Sequence, residues 1–234
     1  MASLRIDLDG RVVAVTGAFG ALGAAVAQTL SGFGARVARL DQAPAPAESV
    51  RLGLAYGGID LAEDDAASSV MMRIVREAGH LDGLVNIAGG FKFEKLEGGH
   101  LETWDSMYRM NLRTAVACCK AASPHLLKSG NARIVNIGAL GAVKAGAGMG
   151  AYAASKAGVA KLTEALADEL KDRGITVNAL LPSTLDTPRN RLDMPNAEFD
   201  RWVAPAAIGD VIAFLMSDSA SAVTGALIPV AGRV

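Results

Sequence analysis

A tyrosine and a lysine four residues apart, Tyr152 and Lys156, are the side chains best suited to acid–base chemistry in this sequence. They begin a predicted helix, Ala151–Arg173, in which this spacing places both on one face. An ammonium group beside a phenol favours the phenolate, so the pair predicts a Tyr152 pKa lowered from about 10 toward working pH. Such a pair often marks only an exposed helix face. Here it follows a glycine-rich loop and a core strand, which favours a role as general acid or base.

A second group of residues has the spacing of a phosphate-binding turn. Thr16–Gly23 reads Thr-Gly-Ala-Phe-Gly-Ala-Leu-Gly and lies between a predicted strand and a predicted helix. Glycines permit a tight turn and a close approach to a pyrophosphate, which the free N–H groups and the positive end of the helix attract. We expect a dinucleotide to contact the residues of this turn, namely Gly17, Phe19, Gly20, Ala21, Leu22 and Gly23.

Asp41 ends the second predicted strand and indicates which dinucleotide binds. A carboxylate at this point accepts hydrogen bonds from the adenosine ribose hydroxyls and repels a 2′-phosphate. The sequence therefore predicts a preference for NAD(H), although it leaves NADP(H) open.

The scaffold for these residues is predicted from short apolar runs that alternate with helical patterns. The predicted strands are Arg11–Thr16, Ala35–Leu40, Leu54–Ile59, Gly83–Ile87, Arg133–Ile137, Thr176–Leu181 and Ala226–Val230. This alternation predicts an α/β fold, with a doubly wound, mostly parallel seven-stranded sheet covered by helices on both faces, in one domain over residues 1–234. Irregular segments follow the strand ends, where ligands bind in open sheets. We expect the segment at about 183–205 to be a lid over the substrate.

Composition excludes several classes of function. The formal net charge is −1, which gives no attraction to nucleic acid or to an anionic membrane. The sequence contains no apolar run long enough to span a bilayer and no signal peptide, so we expect a cytoplasmic protein. Cys118 and Cys119 are adjacent and are poorly placed for a disulfide, and His80, His100 and His125 are scattered, so we expect no metal.

Together these motifs resemble the short-chain dehydrogenases/reductases over nearly the whole chain, from Val12 to Gly232. The resemblance implies a Rossmann fold in which Lys156 also holds the nicotinamide ribose and Asn111 anchors a proton-relay water. It further implies that Asp60 and Leu61 flank the adenine, and that Leu185 and Thr187 touch the nicotinamide carboxamide. The other cofactor contacts that it implies are Asn86, Ala88, Gly89 and Pro182.

The chain departs from the family pattern at three points. Gly20-Ala21 replaces a non-glycine followed by glycine, Ile87 replaces an asparagine, and Ala139 replaces the serine that polarises the substrate. Gly138 precedes Ala139, so a shift of one residue supplies no hydroxyl either. Loss of such a donor typically costs about 3–4 kcal/mol of transition-state stabilisation. An ordinary ketone should therefore be reduced slowly, whereas an electron-poor substrate should suffer less.

One branch of the family, the quinonoid dihydropteridine reductases, resembles this chain further. Its members also have Gly-Ala at the serine position, and residues 181–199 are similar to their substrate loop, although Asn111 belongs to the ordinary carbonyl-reducing tetrad. The resulting hypothesis is an NADH-dependent reductase that transfers hydride to a conjugated C=N or C=O group of a small molecule. The alternatives are a generic carbonyl reductase or alcohol dehydrogenase, and a non-catalytic NAD-binding regulatory protein. Small residues on the 101–128 and 151–173 helices predict a homodimer or homotetramer.

Overall fold

Seven parallel strands form the centre of the molecule. The computed structural model describes residues 6–51 and 53–234, and the strands lie in the order β3-β2-β1-β4-β5-β6-β7. Their bounds are β1 Val12–Thr16, β2 Arg36–Leu40, β3 Ala55–Tyr56, β4 Gly83–Asn86, β5 Arg133–Ile137, β6 Thr176–Pro182 and β7 Leu227–Val230. The predicted seven-stranded doubly wound sheet is confirmed, and every strand pair in it is parallel.

Helices cover both faces of this sheet. They are α1 Ala21–Gly32, α2 Ala47–Arg51, α3 Asp64–Ala78, α4 Leu101–Met107, α5 Thr114–Ser129, α6 Gly150–Leu170, α7 Pro188–Asp193 and α8 Pro205–Met216. Helices α3, α5 and α6 pack on one face, and α1 and α8 pack on the other. The central strands β1, β4, β5 and β6 are buried along their whole length, which explains why they read as continuous apolar runs.

The order of the strands reverses between β1 and β4, and this reversal fixes where a ligand fits. The chain builds β1, β2 and β3 in one direction and then crosses back to build β4 to β7 on the other side of β1. Connections at the carboxyl ends of β1 and β4 therefore diverge and leave a crevice between them. The glycine-rich turn after β1 and the 87–90 segment after β4 border this crevice.

Two predicted elements differ from the structure. The helix predicted over Leu101–Lys128 is interrupted by a π-helical turn, Tyr108–Arg113, which separates α4 from α5. Such turns often occur at functional sites, and this one contains Asn111. The third strand is shorter than the predicted Leu54–Ile59, because β3 is an edge strand that pairs with β2 through two residues only.

Cys118 and Cys119 are both buried on α5 and form no disulfide. Burial raises the pKa of both thiols, that of Cys119 to about 12. Within residues 6–51 and 53–234, no three histidine, cysteine or carboxylate side chains are grouped to hold a metal ion. Over the same residues, no helix is both long enough and apolar enough to cross a membrane.

Candidate active site

A cavity of about 990 Å³ runs along the carboxyl edge of the sheet. It extends from the residues that follow β2 and β3, which include Asp41 and Asp60, to the residues that follow β6, and it passes the glycine-rich turn midway. A volume of this order accommodates a large ligand such as a dinucleotide. The predicted site residues that line it are Gly17, Phe19, Gly20, Ala21, Leu22, Gly23, Asp41, Asp60, Leu61, Ala88, Gly89, Tyr152, Lys156, Pro182, Leu185 and Thr187.

The glycine-rich turn packs closely against neighbouring backbone at the middle of this cavity. Gly17 has φ +64°, and a Cβ there would lie 2.9 Å from the backbone of Ala88. A Cβ on Gly23 would overlap the Gly17 carbonyl oxygen. Helix α1 begins at Ala21 within this turn, and its N-cap residue, Gly20, has no side chain that could cap it. The N–H groups of the first helical turn are thus available to an anion such as a pyrophosphate.

At one end of the cavity the carboxylate of Asp41 is held by two backbone N–H groups. Its Oδ2 accepts from Phe19 at 2.8 Å and its Oδ1 accepts from Ala43 at 3.0 Å. Each oxygen retains a lone pair that can accept from a ribose hydroxyl. This end of the cavity therefore offers hydrogen-bond acceptors to the hydroxyls of an adenosine ribose.

Thr16 is a residue of the site that the sequence-based prediction missed. Its buried hydroxyl oxygen accepts from the N–H of Ile87 at 3.0 Å and from the N–H of Ala88 at 3.1 Å. It also donates to the Val85 carbonyl at 3.4 Å. Thr16 thereby fixes the segment after β4 against the phosphate turn after β1. The threonine before the first glycine was the available signal.

The other end of the cavity contains the predicted catalytic pair. Lys156 is 6% exposed, and its Nζ donates to the Ile137 carbonyl at the end of β5 at 2.7 Å. The Tyr152 ring lies edge-on to the Phe91 ring, with centroids 5.0 Å apart. Among the described residues, none forms a hydrogen bond with the Tyr152 hydroxyl. That hydroxyl is thus free to reach a substrate.

The predicted lowering of the Tyr152 pKa is wrong for the protein on its own. Burial raises the pKa of Tyr152 to about 12 and lowers the pKa of Lys156 to about 8. Desolvation penalises the charged form of each group, and here it outweighs the attraction that the spacing alone suggested. Tyr152 is therefore protonated at neutral pH, which is the form that a general acid requires.

Asn111, on the π-helical turn, is 1% exposed and its amide is fully engaged. Its Oδ1 accepts from the N–H of Gly90 at 2.9 Å, and its Nδ2 donates to the Gly90 carbonyl at 3.1 Å and to the Ser155 hydroxyl at 3.0 Å. The relay water that the resemblance implies for this residue stays a prediction, and in the protein itself both amide hydrogens are bonded to Gly90 and Ser155. In this structure Asn111 positions the Gly89–Gly90 segment against helix α6.

The wall beside Tyr152 is apolar where the family has a serine. Ala139 is 5% exposed and lines the cavity, as does Gly138. Ser183, which also lines the cavity, donates its hydroxyl to the Ala231 carbonyl at 2.6 Å. Phe91 lines the same region and is 57% exposed, although its sequence context gave no reason to single it out. The catalytic end is thus poor in free donors and is bordered by an aromatic ring.

Asn86 does not line the cavity, unlike the other predicted cofactor contacts. It is 5% exposed, and its Nδ2 donates to Asn136 Oδ1 at 2.8 Å and to Cys119 Sγ at 3.2 Å. Asn86 and Asn136 are partners in the β4–β5 register. The Asn86 side chain thus joins a polar contact between strands beneath helix α5, on the face away from the glycine-rich turn.

The predicted lid segment lines the cavity with residues such as Leu185, Thr187 and Asn190, and with none of its aromatic residues. Thr187 caps helix α7 by accepting from the N–H of Asn190 at 3.2 Å. The rings of Phe199 and Trp202 lie 4.9 Å apart, and neither lines the cavity. These two rings therefore pack on each other within the 183–205 segment.

A twisted parallel sheet with a glycine-rich turn, a carboxylate after β2 and a tyrosine–lysine pair defines a dinucleotide-binding oxidoreductase. Residues 11–197 match the short chain dehydrogenases, and the chain belongs to that family. It is 32% identical to the 3-oxoacyl-(acyl-carrier-protein) reductase of Pseudomonas aeruginosa, over 97% of this chain and 98% of that protein. It is also 32% identical to the D-threitol dehydrogenase of Mycolicibacterium smegmatis, over 94% and 90%.

A solved structure has the same fold over nearly its whole length. The carveol dehydrogenase of Mycobacterium avium, in complex with NAD, superposes with a TM-score of 0.86 at 28% identity, covering 96% of this chain and 97% of that one. The family and the fold implied by the resemblance are thereby confirmed. These three relatives are a reductase and two dehydrogenases, and their substrates differ.

Proposed function

We propose that this protein is an NADH-dependent reductase that transfers a hydride to a conjugated C=N or C=O carbon of a flat, electron-poor substrate, as dihydropteridine reductases do. The observation that carries the proposal is the buried Ala139 on the cavity wall beside Tyr152. Without a hydroxyl at this position, the site lacks a donor that an unactivated ketone needs. An acceptor that is already electron-poor needs less polarisation.

The cofactor proposal depends on Asp41. Its carboxylate occupies the end of the cavity after β2, where it would accept from ribose hydroxyls and repel a 2′-phosphate. The cationic side chains Arg109 and Arg189 also line the cavity, but each is already paired with carboxylates. This distribution of charge supports NAD(H) over NADP(H).

When bound, the nicotinamide supplies the hydride, and the protein supplies the proton. Tyr152, protonated at neutral pH and without a hydrogen-bond partner among the described residues, would donate its proton to the reduced nitrogen or oxygen. Lys156, anchored on the Ile137 carbonyl, would hold the ribose hydroxyls and stabilise the resulting phenolate. Asn111 would act as a positioning residue for the Gly89–Gly90 backbone.

A carbonyl reductase or alcohol dehydrogenase is the second candidate, and the named relatives favour it. NADH oxidation with chemically generated quinonoid dihydropterin, measured beside a panel of simple ketones and quinones, separates the two. Fast turnover of the pterin without reduction of the ketones supports the proposal, and turnover of ketones without turnover of the pterin rejects it. Tight NADH binding without turnover of any acceptor would favour a non-catalytic NAD-binding protein.

The substitution Ala139→Ser refines this test. Restoring the hydroxyl should raise kcat/KM for ketones by roughly 10²-fold if the site lacks only that donor, and should leave pterin turnover within a few-fold. Ala142→Ser adds the same hydroxyl three residues later, outside the cavity lining, and is the matched control. A rise in ketone turnover in both variants would contradict the role given to position 139.

We also propose a cytoplasmic homodimer or homotetramer. Large apolar side chains are exposed on the segment from α4 to α5, including Leu101, Trp104, Tyr108 and Val116. Burial of these side chains against a second copy would remove apolar surface from water. The free thiols of Cys118 and Cys119 are compatible with a reducing compartment. Sedimentation of the purified protein tests the oligomeric state.

A further inference from the structure

Arg109 is a charged residue of the cavity that no step of the proposed chemistry uses. It lies on the π-helical turn Tyr108–Arg113, lines the cavity and reaches the segment after β3. Its Nη2 donates to Asp60 Oδ2 at 2.6 Å and to Glu63 Oε1 at 2.8 Å. Its Nε and Nη1 donate to none of the described residues. The guanidinium is therefore fixed in place with donors left over.

The position of Arg109 corresponds to the adenine half of a bound dinucleotide. The pyrophosphate belongs at the α1 N-terminus in the middle of the cavity, and the catalytic pair Tyr152/Lys156 lies toward β5 and β6. The nicotinamide must reach that pair, so the adenosine must extend the other way, past Asp41 toward the β3 edge. The residues that line this far end are Ile59, Asp60, Leu61, Ala62, Arg109 and Thr114.

Asp60 and Arg109 present an acceptor beside a donor at this far end. Asp60 Oδ1 accepts from the N–H of Ala62 at 3.1 Å, and each of its oxygens has a further lone pair. The planar guanidinium adds fixed donors beside it. Adenine carries an amino donor next to a ring-nitrogen acceptor, which is the complementary pattern. Hypoxanthine reverses this pattern, because it has a carbonyl oxygen and a protonated ring nitrogen at the same two positions.

We propose that Arg109, held by Asp60 and Glu63, recognises the adenine base of the cofactor and makes the protein discriminate against hypoxanthine at that position. The inference rests on the proposed use of NAD(H). It adds a base-recognising side chain on the π-helical turn, two residues before Asn111, so that one turn contacts the adenine and also positions the Gly90 segment.

Calorimetric binding of three reduced ligands tests the proposal without turnover: NADH, nicotinamide hypoxanthine dinucleotide and nicotinamide mononucleotide. The wild type should bind NADH roughly tenfold more tightly than the hypoxanthine analogue, the effect of one mismatched hydrogen-bond pair. Arg109→Ala should weaken NADH binding and bring that ratio close to one, while binding of the mononucleotide stays unchanged. Arg109→Lys keeps the charge but loses the planar pair of donors, and it should also lose the preference for NADH over the hypoxanthine analogue.

Arg113→Ala is the control, because Arg113 lies on the same turn and donates to the Ala62 carbonyl at 2.9 Å without lining the cavity. This variant should bind NADH more tightly than the hypoxanthine analogue by the same factor as the wild type. The proposal is overturned if Arg109→Ala keeps the wild-type ratio, or if it weakens the mononucleotide as much as NADH. If the wild type binds only NADPH, the proposed cofactor fails, and the same comparison with NADPH and its hypoxanthine analogue still decides the role of Arg109.

Discussion

The free energy of unfolding of a Lys156→Met variant, relative to that of the wild type, should be higher at pH 7 than at pH 10. Lys156 is 6% exposed, and burial lowers its pKa from 10.5 to about 8. Below pH 8 the lysine is charged in both the folded and the unfolded protein, and the folded protein bears the full cost of burying that charge. As pH rises from about 8 to 10.5 the folded protein loses the proton first, so the cost disappears.

The size of the effect follows from the pKa difference. A pKa lowered from 10.5 to about 8 corresponds to about 3 kcal/mol of destabilisation at pH 7 that methionine would relieve. Methionine also leaves the Ile137 carbonyl, which accepts from Lys156 Nζ at 2.7 Å, without its partner. That loss costs about 1–3 kcal/mol at every pH. The net change at pH 7 is therefore small, and the informative quantity is its dependence on pH.

Urea unfolding of wild type and Lys156→Met at pH 7 and pH 10 measures this dependence. The free energy of unfolding of the variant, relative to wild type, should fall by about 2–3 kcal/mol between the two pH values. Lys161→Met, at a highly exposed position on the same helix, is the control and should show little change. A pH-independent difference for Lys156→Met would refute the argument that burial, with an uncompensated charge, depresses the lysine pKa.

Four further substitutions, one of them a control, test the rest of the site. Tyr152→Phe should lower kcat by roughly 10²–10⁴-fold, the usual contribution of a general acid, with the NADH dissociation constant unchanged. Turnover at the wild-type rate would contradict the role of Tyr152 as the general acid. Asp41→Ser should weaken NADH and strengthen NADPH, each by about tenfold, and an unchanged ratio of the two affinities would contradict the ribose contact. Gly89→Ala places a Cβ against Asn111 Oδ1, well inside van der Waals contact, and should cost about 1–3 kcal/mol of stability in urea unfolding. Gly20→Ala, whose Cβ meets nothing closer than 3.5 Å, should cost much less, and equal losses would contradict the packing argument.

The sheet and the phosphate turn were predictable because their signals are local. Buried parallel strands require apolar runs, and a strand–turn–helix that approaches a phosphate requires glycine at fixed points such as Gly17 and Gly23. The π-helical turn was not predictable in this way. Its sequence has an ordinary helical pattern, and the insertion depends on contacts such as Asn111 with Gly90, which are far apart in the chain. Arg109 was missed for the same reason.

Electrostatics was the weaker part of the sequence-based prediction. The spacing of Tyr152 and Lys156 correctly predicts that both line one cavity, but spacing contains no information on how deeply either group is buried. Burial decides the direction of both pKa shifts. The side-chain direction of Asn86 is a related case, because the sequence does not say which face of the sheet the last residue of β4 takes, and only the β4–β5 register places it opposite Asn136.

The stability cost of Lys156 bears on whether the site is catalytic. A protein that only binds a dinucleotide through its phosphate turn and Asp41 has no need of a buried, partly desolvated amine beside a tyrosine whose hydroxyl is free. Methionine there would keep the packing without burying a charge, whereas lysine at pH 7 carries a desolvation penalty that its hydrogen bond to the Ile137 carbonyl offsets in part. A folded Lys156→Met variant that still binds NADH, more weakly because the ribose contact is lost, but has lost turnover would show that the lysine serves the reaction. A variant that keeps its turnover would leave the lysine without a function and would count against the mechanism as a whole.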